Sequence, residues 1–212
     1  MNLDLRKIPA LYINLDKDIE KGEKIEKTLT DLGFSNVIRV PGVVHPTGNK
    51  GGCSLAHYNA LNKIEPPFII FEDDIDIKDF KPVVDIPDDC DALYLGVSSW
   101  GRMNGHSGPF VQYEKIDENI FRVYNMLGTH SILYLNPEYV SVCQRISYHQ
   151  YLIEDYIDIG FTDIQKYYNV YCFDNPMFYQ TSSNGTDNKL SSYPSEECFT
   201  YNKSYWYPSK IF

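Results

Sequence analysis

The sequence predicts a single-domain α/β fold, Rossmann-like, with a mixed, mostly parallel sheet flanked by helices. Strand-like and helix-like patterns alternate over residues 10–40, as in a βαβ unit, which places its two strands parallel. Residues 68–71 are four consecutive apolar residues, which is typical of a strand buried on both faces. The length of 212 residues suits one domain of this class.

The first predicted elements form the βαβ unit. Residues 10–15 are a nearly all-apolar strand, and Asp16 and Asp18 are candidate N-caps of the helix that follows. Gly33 stands where a helix C-cap belongs, and residues 36–40 form the second strand. The helix has an apolar stripe at helical spacing, made of Ile25, Leu29 and Leu32.

The middle of the chain repeats this alternation. Residues 43–52 are polar and glycine-rich and are predicted to form a loop, after which Ser54 is predicted to cap a helix that ends near residue 64. Strands are predicted over residues 68–71 and 91–96. Residues 97–108 show little periodicity and are predicted to form a long functional loop, in which Trp100 would stack on a sugar or anchor a lid.

The last part of the chain combines strands with helical segments. Residues 120–124, 130–135 and 170–173 are predicted strands. Asn136 followed by Pro137 is typical of a helix start, and helical segments are predicted to reach residue 168 with breaks near Ser147 and Gly160. Residues 174–212 are predicted to wrap over the domain or to form a lid.

The composition argues against several kinds of partner. A formal net charge of −10 disfavours nucleic acid and anionic membranes, and no apolar run approaches the length of a membrane span. Five widely spaced cysteines without a CxxC pair indicate reduced thiols, and neither a disulfide framework nor a zinc site. Because residues 1–10 lack a signal sequence, a cytoplasmic location is predicted.

Four carboxylates in five positions, from Glu72 to Asp76, follow the strand at residues 68–71. So much negative charge at the end of a buried strand favours a bound cation, and Mn²⁺ or Mg²⁺ is commonly shared between carboxylates and substrate phosphates. Asp74 and Asp76 form a DXD motif with the spacing of a metal-binding pair. The alternative is a solvated strand end without metal, since Asp is common in turns.

Five segments, in order along the chain, resemble the lipopolysaccharide-type glycosyltransferases, the family that includes collagen galactosyltransferases. They are YINLD at residues 12–16, GCSLAH at 52–57, IIFEDD at 69–74, GTHSILY at 128–134 and the segment 175–180. The similarity spans roughly residues 10–188. Within that family, the chain resembles glycosyltransferase domains that build the capsid glycan of chloroviruses.

The resemblance implies a GT-A fold in which residues 1–98 bind the nucleotide and residues 99–212 face the acceptor. It implies inverting transfer of a sugar from UDP-hexose or UDP-deoxyhexose, with Mn²⁺ or Mg²⁺ as cofactor. The acceptor would be a glycan or glycoprotein, of which a viral capsid glycan, built in the host cytoplasm, is the narrower case.

For this reaction, Asp74 and Asp76 are the predicted metal ligands, and Glu72 and Asp73 are predicted to hold the ribose or the donor sugar. Asn14 and Leu15 end the first strand, where α/β sheets bind ligands, and are predicted to contact the nucleotide. For Asn14 the alternative is a turn residue that caps the strand end.

An inverting transferase also needs a base that deprotonates the acceptor hydroxyl. Asp155 is the first candidate, with Glu154 and Asp158 behind it, although the family often has a Pro-x-Asp segment here that this chain lacks. The alternative is a solvated acidic helix face. His130 is a candidate contact of the metal or donor, whereas His57 is predicted to be a hydrogen-bonded core residue.

Three alternatives remain open for the function. A phosphohydrolase of the haloacid-dehalogenase type would use the Asp74–Asp76 pair, but Lys78 stands where that motif has Thr or Val. A glycosidase needs two carboxylates that flank a sugar, which does not call for a cluster. A non-catalytic sugar-binding module of the same fold has no need of so many adjacent carboxylates.

Overall fold

The computed structural model describes residues 1–46, 48–109, 111–181 and, for the backbone alone, 206–208. The helices are α1 (Ile19–Asp31), α2 (Asn49–Leu61), α3 (Pro137–Leu152) and α4 (Ile157–Gln165), with one 3₁₀ turn at Leu5–Lys7. The strands are β1 (Asn2–Asp4), β2 (Ala10–Asn14), β3 (Val37–Pro41), β4 (Phe68–Glu72), β5 (Ile75–Ile77), β6 (Val83–Asp85), β7 (Ala92–Tyr94), β8 (Gly101–Met103), β9 (His106–Gly108), β10 (Val111–Lys115), β11 (Ile120–Val123), β12 (Ser131–Tyr134), β13 (Val170–Phe173), β14 (Phe178–Gln180) and β15 (Trp206–Pro208).

A nine-stranded sheet with the order β3-β2-β4-β12-β7-β13-β11-β10-β15 organises these elements. Strand β2 is parallel to both β3 and β4, which is the predicted βαβ arrangement. Strand β12 lies antiparallel between β4 and β7, and β7 is parallel to β13. The predicted mixed α/β fold is confirmed, although antiparallel pairs are as frequent in this sheet as parallel ones.

Both faces of the sheet are covered, which explains the apolar run in β4. Phe68 and Ile70 belong to the cluster formed with α2, α3 and α4, whereas Ile69 and Phe71 belong to the cluster that contains Ile25 and Leu29 of α1. Alternate side chains of a strand point to opposite faces, so a strand covered on both sides loses the polar alternation. No helix within the described ranges is long and apolar enough to cross a membrane.

Several predicted element boundaries were wrong. Helix α2 begins at Asn49, so Ser54 lies inside it and donates a hydrogen bond from Oγ to the carbonyl oxygen of Asp155 at 2.9 Å. Neither predicted break is present, because α3 continues through Ser147 and α4 continues through Gly160; the break falls between these helices, at residues 153–156. Residues 97–108, predicted to form a loop, contain the hairpin β8–β9, and the strands β1, β5, β6, β10 and β14 were also not predicted from the sequence.

The end of the chain only partly tests the predicted wrap or lid. Strand β14 pairs with β5, and β15 adds a parallel edge strand next to β10. The remaining residues, 182–205 and 209–212, lie outside the described part of the chain.

Candidate active site

A cavity of about 260 Å³ lies where β2 and β4 end and where the antiparallel β12 begins. The N-terminal turns of α1 and α2 also reach it, as helices that follow strands in α/β folds do, and so does the first turn of α4, which follows α3. Its walls come from both halves of the chain. Its lining residues are Ile13, Asn14, Leu15, Asp18, Lys21, Gly42, Val43, Asn49, Gly52, Cys53, Ala56, His57, Glu72, Asp73, Asp74, Gly128, Thr129, Tyr156, Ile157, Asp158 and Gln180.

The side chains that line this cavity are strongly acidic. Among the described residues that line it, five carry carboxylates, and Lys21 is the only Lys or Arg. Like charges that share a poorly solvated site raise one another's pKa, and a cation relieves the repulsion. The cavity therefore has the electrostatic character of a cation site.

Glu72 ends β4 and is anchored by three neighbouring side chains. Its Oε1 accepts a hydrogen bond from Thr129 Oγ1 at 2.6 Å and lies 3.1 Å from His57 Nε2, while its Oε2 accepts from Gln180 Nε2 at 3.3 Å. Burial opposes ionisation of Glu72, but the contacts with His57 and Thr129 outweigh it and hold its pKa below the usual value. Glu72 is thus an ionised carboxylate with a fixed orientation.

Asp74 is buried beside Glu72 and is held by the segment at β14. Gln180 Nε2 donates to Asp74 Oδ2 at 2.9 Å, and Thr181 donates from its backbone N to the Asp74 carbonyl oxygen at 2.7 Å. Asp74 Oδ1 is buried without a hydrogen-bond partner among the described residues. Burial, together with the charge of Glu72, raises the pKa of Asp74 to about 8.

Asn14 and Asp73 form the opposite wall of the cavity. Asn14 Nδ2 donates to Asp73 Oδ2 at 2.8 Å and to the Asp18 carbonyl oxygen at 2.9 Å, and Asn14 Oδ1 accepts from Arg39 Nε at 3.1 Å. The side chain of Asn14 therefore orders the wall itself, and its predicted contact with a nucleotide, like that of Leu15, stays a prediction. Burial raises the pKa of Asp73.

Of the three base candidates, the structure places Asp158 in the cavity. Asp158 Oδ2 accepts from Gly128 N at 3.1 Å, and Oδ1 accepts from Ile159 N at 2.9 Å in the first turn of α4. Burial raises the pKa of Asp158 to about 6, with the Gly128 hydrogen bond acting in the opposite direction. Asp155 and Glu154 lie in the turn between α3 and α4, outside the cavity lining, and Asp155 Oδ1 is 3.7 Å from Lys50 Nζ.

Two other predicted site residues do not line the cavity. Asp76 lies on β5, where its Oδ2 is 3.3 Å from Lys24 Nζ, so the structure does not bring it into the cavity with Asp74. His130 is buried behind the cavity wall, next to Gly96, and its Nε2 has no hydrogen-bond partner in the described ranges. Burial lowers the pKa of His130 to about 4, so it is neutral near pH 7.

The donor set fits a hard divalent cation. Such ions take oxygen ligands, and Asp73 and Asp74 are two of the carboxylates that line a cavity with excess negative charge. Asp74 Oδ1 is buried without a hydrogen-bond partner among the described residues, and a bound cation would take the place of the proton that the raised pKa of Asp74 retains near pH 7.

Several cavity residues were not assigned a role from the sequence. Lys21 lies in the first turn of α1, the helix that follows β2, and this βα connection places it at the cavity. Thr129 and Gln180 lie within segments that carry the family resemblance, but only the fold shows that both hydrogen-bond to Glu72. His57 has the predicted burial and hydrogen bond, and it also lines the cavity.

Comparisons with known proteins leave the family resemblance a prediction. No protein-family model matches the sequence, and no curated protein matches it. Among solved structures, CTP:phosphocholine cytidylyltransferase from Streptococcus pneumoniae aligns with a TM-score of 0.42 and 8% identity, over 89% of this chain and 100% of that chain. A likeness of this size carries no argument about activity.

Proposed function

We propose that this chain is a metal-dependent, inverting glycosyltransferase. It would move a sugar from a nucleotide sugar, of the UDP-hexose or UDP-deoxyhexose class, to a hydroxyl of a glycan or glycoprotein. The observation that carries the proposal is the convergence of Glu72, Asp73, Asp74 and Asp158 in one cavity at the carboxyl ends of β2 and β4. Open α/β sheets bind their ligands at this edge.

Asp74 and Asp73 are the proposed cation ligands. When bound, Mn²⁺ or Mg²⁺ would neutralise the charge that develops on the diphosphate leaving group. Lys21 lines the same cavity and adds a second positive charge for the phosphates. Asp76 would have to leave Lys24 before it could join this set.

Asp158 is the proposed catalytic base. Its carboxylate takes the proton of the acceptor hydroxyl as the new bond forms between the acceptor oxygen and the anomeric carbon, while the bond from that carbon to the diphosphate oxygen breaks. A pKa of about 6 keeps the base largely ionised near neutral pH. Hydrogen bonds from two backbone N–H groups hold its orientation.

Calorimetric titration with UDP and a panel of UDP-sugars, with Mn²⁺ and after EDTA, tests the proposal. We expect micromolar binding of UDP or a UDP-sugar that requires metal. This binding should be lost in the Asp74→Asn variant and retained in the Asp76→Asn variant. Absence of binding under both conditions would refute the donor class. Metal-dependent binding without UDP release in the presence of acceptors would identify a sugar-binding module.

A phosphohydrolase is less well supported. An aspartate pair that acts on one phosphoryl group needs both carboxylates in the same site, and Asp76 does not line the cavity that Asp74 lines. Release of phosphate from simple phosphomonoesters by the purified protein would reverse this order of preference.

A further inference from the structure

Three metal-binding side chains of different chemistry meet on the wall of the cavity. Cys53, His57 and Glu72 each offer a ligand atom, and these atoms lie within 4.8 Å of one another. His57 Nε2 and Glu72 Oε1 are 3.1 Å apart. In a tetrahedral zinc site, neighbouring ligand atoms are roughly 3.3–3.6 Å apart, as zinc bonds of about 2.0–2.3 Å require. Small side-chain movements would therefore let all three atoms contact one ion.

The secondary structure explains why these side chains meet. Cys53 and His57 are four residues apart on α2, so they lie on the same face of the helix. Two ligands at this spacing on one helix are a recurrent arrangement in zinc sites. Glu72 reaches the same point from the end of β4, where Thr129 fixes its Oε1.

We propose that Cys53, His57 and Glu72 form a binding site for a thiophilic divalent cation, of which Zn²⁺ is the representative. A thiolate and an imidazole prefer softer ions than the carboxylates of Asp73 and Asp74 do, so the two neighbouring ligand sets differ in metal selectivity. All three side chains line the cavity, which leaves a fourth coordination position open to it.

Binding changes the protonation of the site in a defined way. The Cys53 thiol releases its proton to solvent and binds as a thiolate, and His57 binds as neutral imidazole through Nε2 with its proton on Nδ1. The bonds to the ion replace the present contact between His57 and Glu72. The excess of carboxylates around the site favours the added positive charge. None of these steps depends on glycosyl transfer.

The lack of CxxC spacing among the cysteines argues against zinc at the level of the sequence. That argument considers cysteine pairs, whereas this site combines one cysteine with a histidine on the same helix and a carboxylate from a strand. The third ligand follows His57 by 15 residues and is brought near only by the fold.

Cobalt substitution tests the site without any substrate. Co²⁺ added to the metal-free protein is expected to give a thiolate-to-cobalt charge-transfer band in the near ultraviolet and the intense visible bands of tetrahedral cobalt, which Zn²⁺ then abolishes. Wild-type protein without a thiolate band would overturn the proposal, and this measurement needs no variant.

Two variants and a matched control locate the ligands. Cys53→Ser is expected to lose the thiolate band, and both Cys53→Ser and His57→Gln to lose at least about tenfold in zinc affinity, measured by competition with a chromophoric chelator. The control is Cys90→Ser, because Cys90 is buried outside the cavity lining and its Sγ donates to the Ala92 carbonyl oxygen at 3.3 Å. Unchanged zinc affinity in folded Cys53→Ser would overturn the assignment.

Discussion

Replacement of Asp158 by asparagine tests the proposed base directly. The substitution keeps the shape of the side chain and an oxygen that can accept from the Gly128 N–H group, but it removes the proton acceptor. We expect kcat to fall roughly a hundredfold to ten-thousandfold, because general-base catalysis typically contributes a rate factor of this size. Donor binding should change little, because the proposed cation ligands remain in place.

The pKa of Asp158 sets the pH dependence of the wild-type reaction. With a pKa of about 6, roughly nine-tenths of these side chains are ionised at pH 7 and roughly one-tenth at pH 5. The base acts in its ionised form, so turnover should rise as pH increases through about 6 and be about tenfold lower at pH 5 than at pH 7. Asp158→Asn should lack this rising limb.

The assay is release of UDP from a UDP-sugar in the presence of acceptor glycans, with donor binding measured separately by calorimetry. Asp155→Asn is the matched control, because Asp155 is a neighbouring carboxylate outside the cavity lining. Full turnover in Asp158→Asn, or loss of turnover with donor binding retained in Asp155→Asn, would refute the assignment of the base.

Three further predictions concern the cavity and its support. Because burial raises the pKa of Asp74 to about 8, Mn²⁺ binding at pH 7 should release about one proton. Calorimetry in buffers of different ionisation enthalpy measures this release. The Asp74→Asn variant should release no proton. Gln180→Leu removes the donor to Asp74 Oδ2, so the affinity for Mn²⁺ should fall roughly tenfold to a hundredfold. Paramagnetic resonance of free Mn²⁺ measures this affinity. An unchanged affinity would contradict the role of Gln180 in positioning Asp74. A Cβ at Gly96 would lie 2.0 Å from His130 Nε2, so Gly96→Ala should lower the free energy of unfolding by about 1–3 kcal/mol or more in urea titrations. Gly51→Ala is its control, since a Cβ there comes no closer than 3.4 Å to His45, and an equal loss in both would show that the contact with His130 is not the cause.

The fold could be predicted wherever local pattern and burial agree. The apolar run at residues 68–71 predicted a doubly buried strand, and the stripe of Ile25 and Leu29 predicted α1, because both patterns report directly which faces are covered. The start of α2 was missed since Gly48, which precedes it, carries no capping side chain. The sequence favours Ser54 as the cap, whereas in the structure its hydroxyl donates a hydrogen bond to the Asp155 carbonyl oxygen.

The site was predictable in its chemistry and less so in its geometry. The carboxylates at the end of β4 were evident from the sequence, because charge beside a buried strand is unusual. Sequence spacing could not show that β5 turns Asp76 toward Lys24, or that the break between α3 and α4 sends Asp158 into the cavity and leaves Asp155 outside it. These outcomes depend on where two turns fall.

The position of β12 has a consequence for the chain during translation. Strands β4 and β7 do not pair with each other, because Ser131–Tyr134 lies between them. At synthesis rates of about 5–20 residues per second, the free edge of β4 waits roughly 3–12 seconds for that strand to be made. Throughout that interval a highly apolar strand presents unpaired backbone groups to other nascent chains, so the yield of folded protein should depend on how well the ribosome and its chaperones shield it.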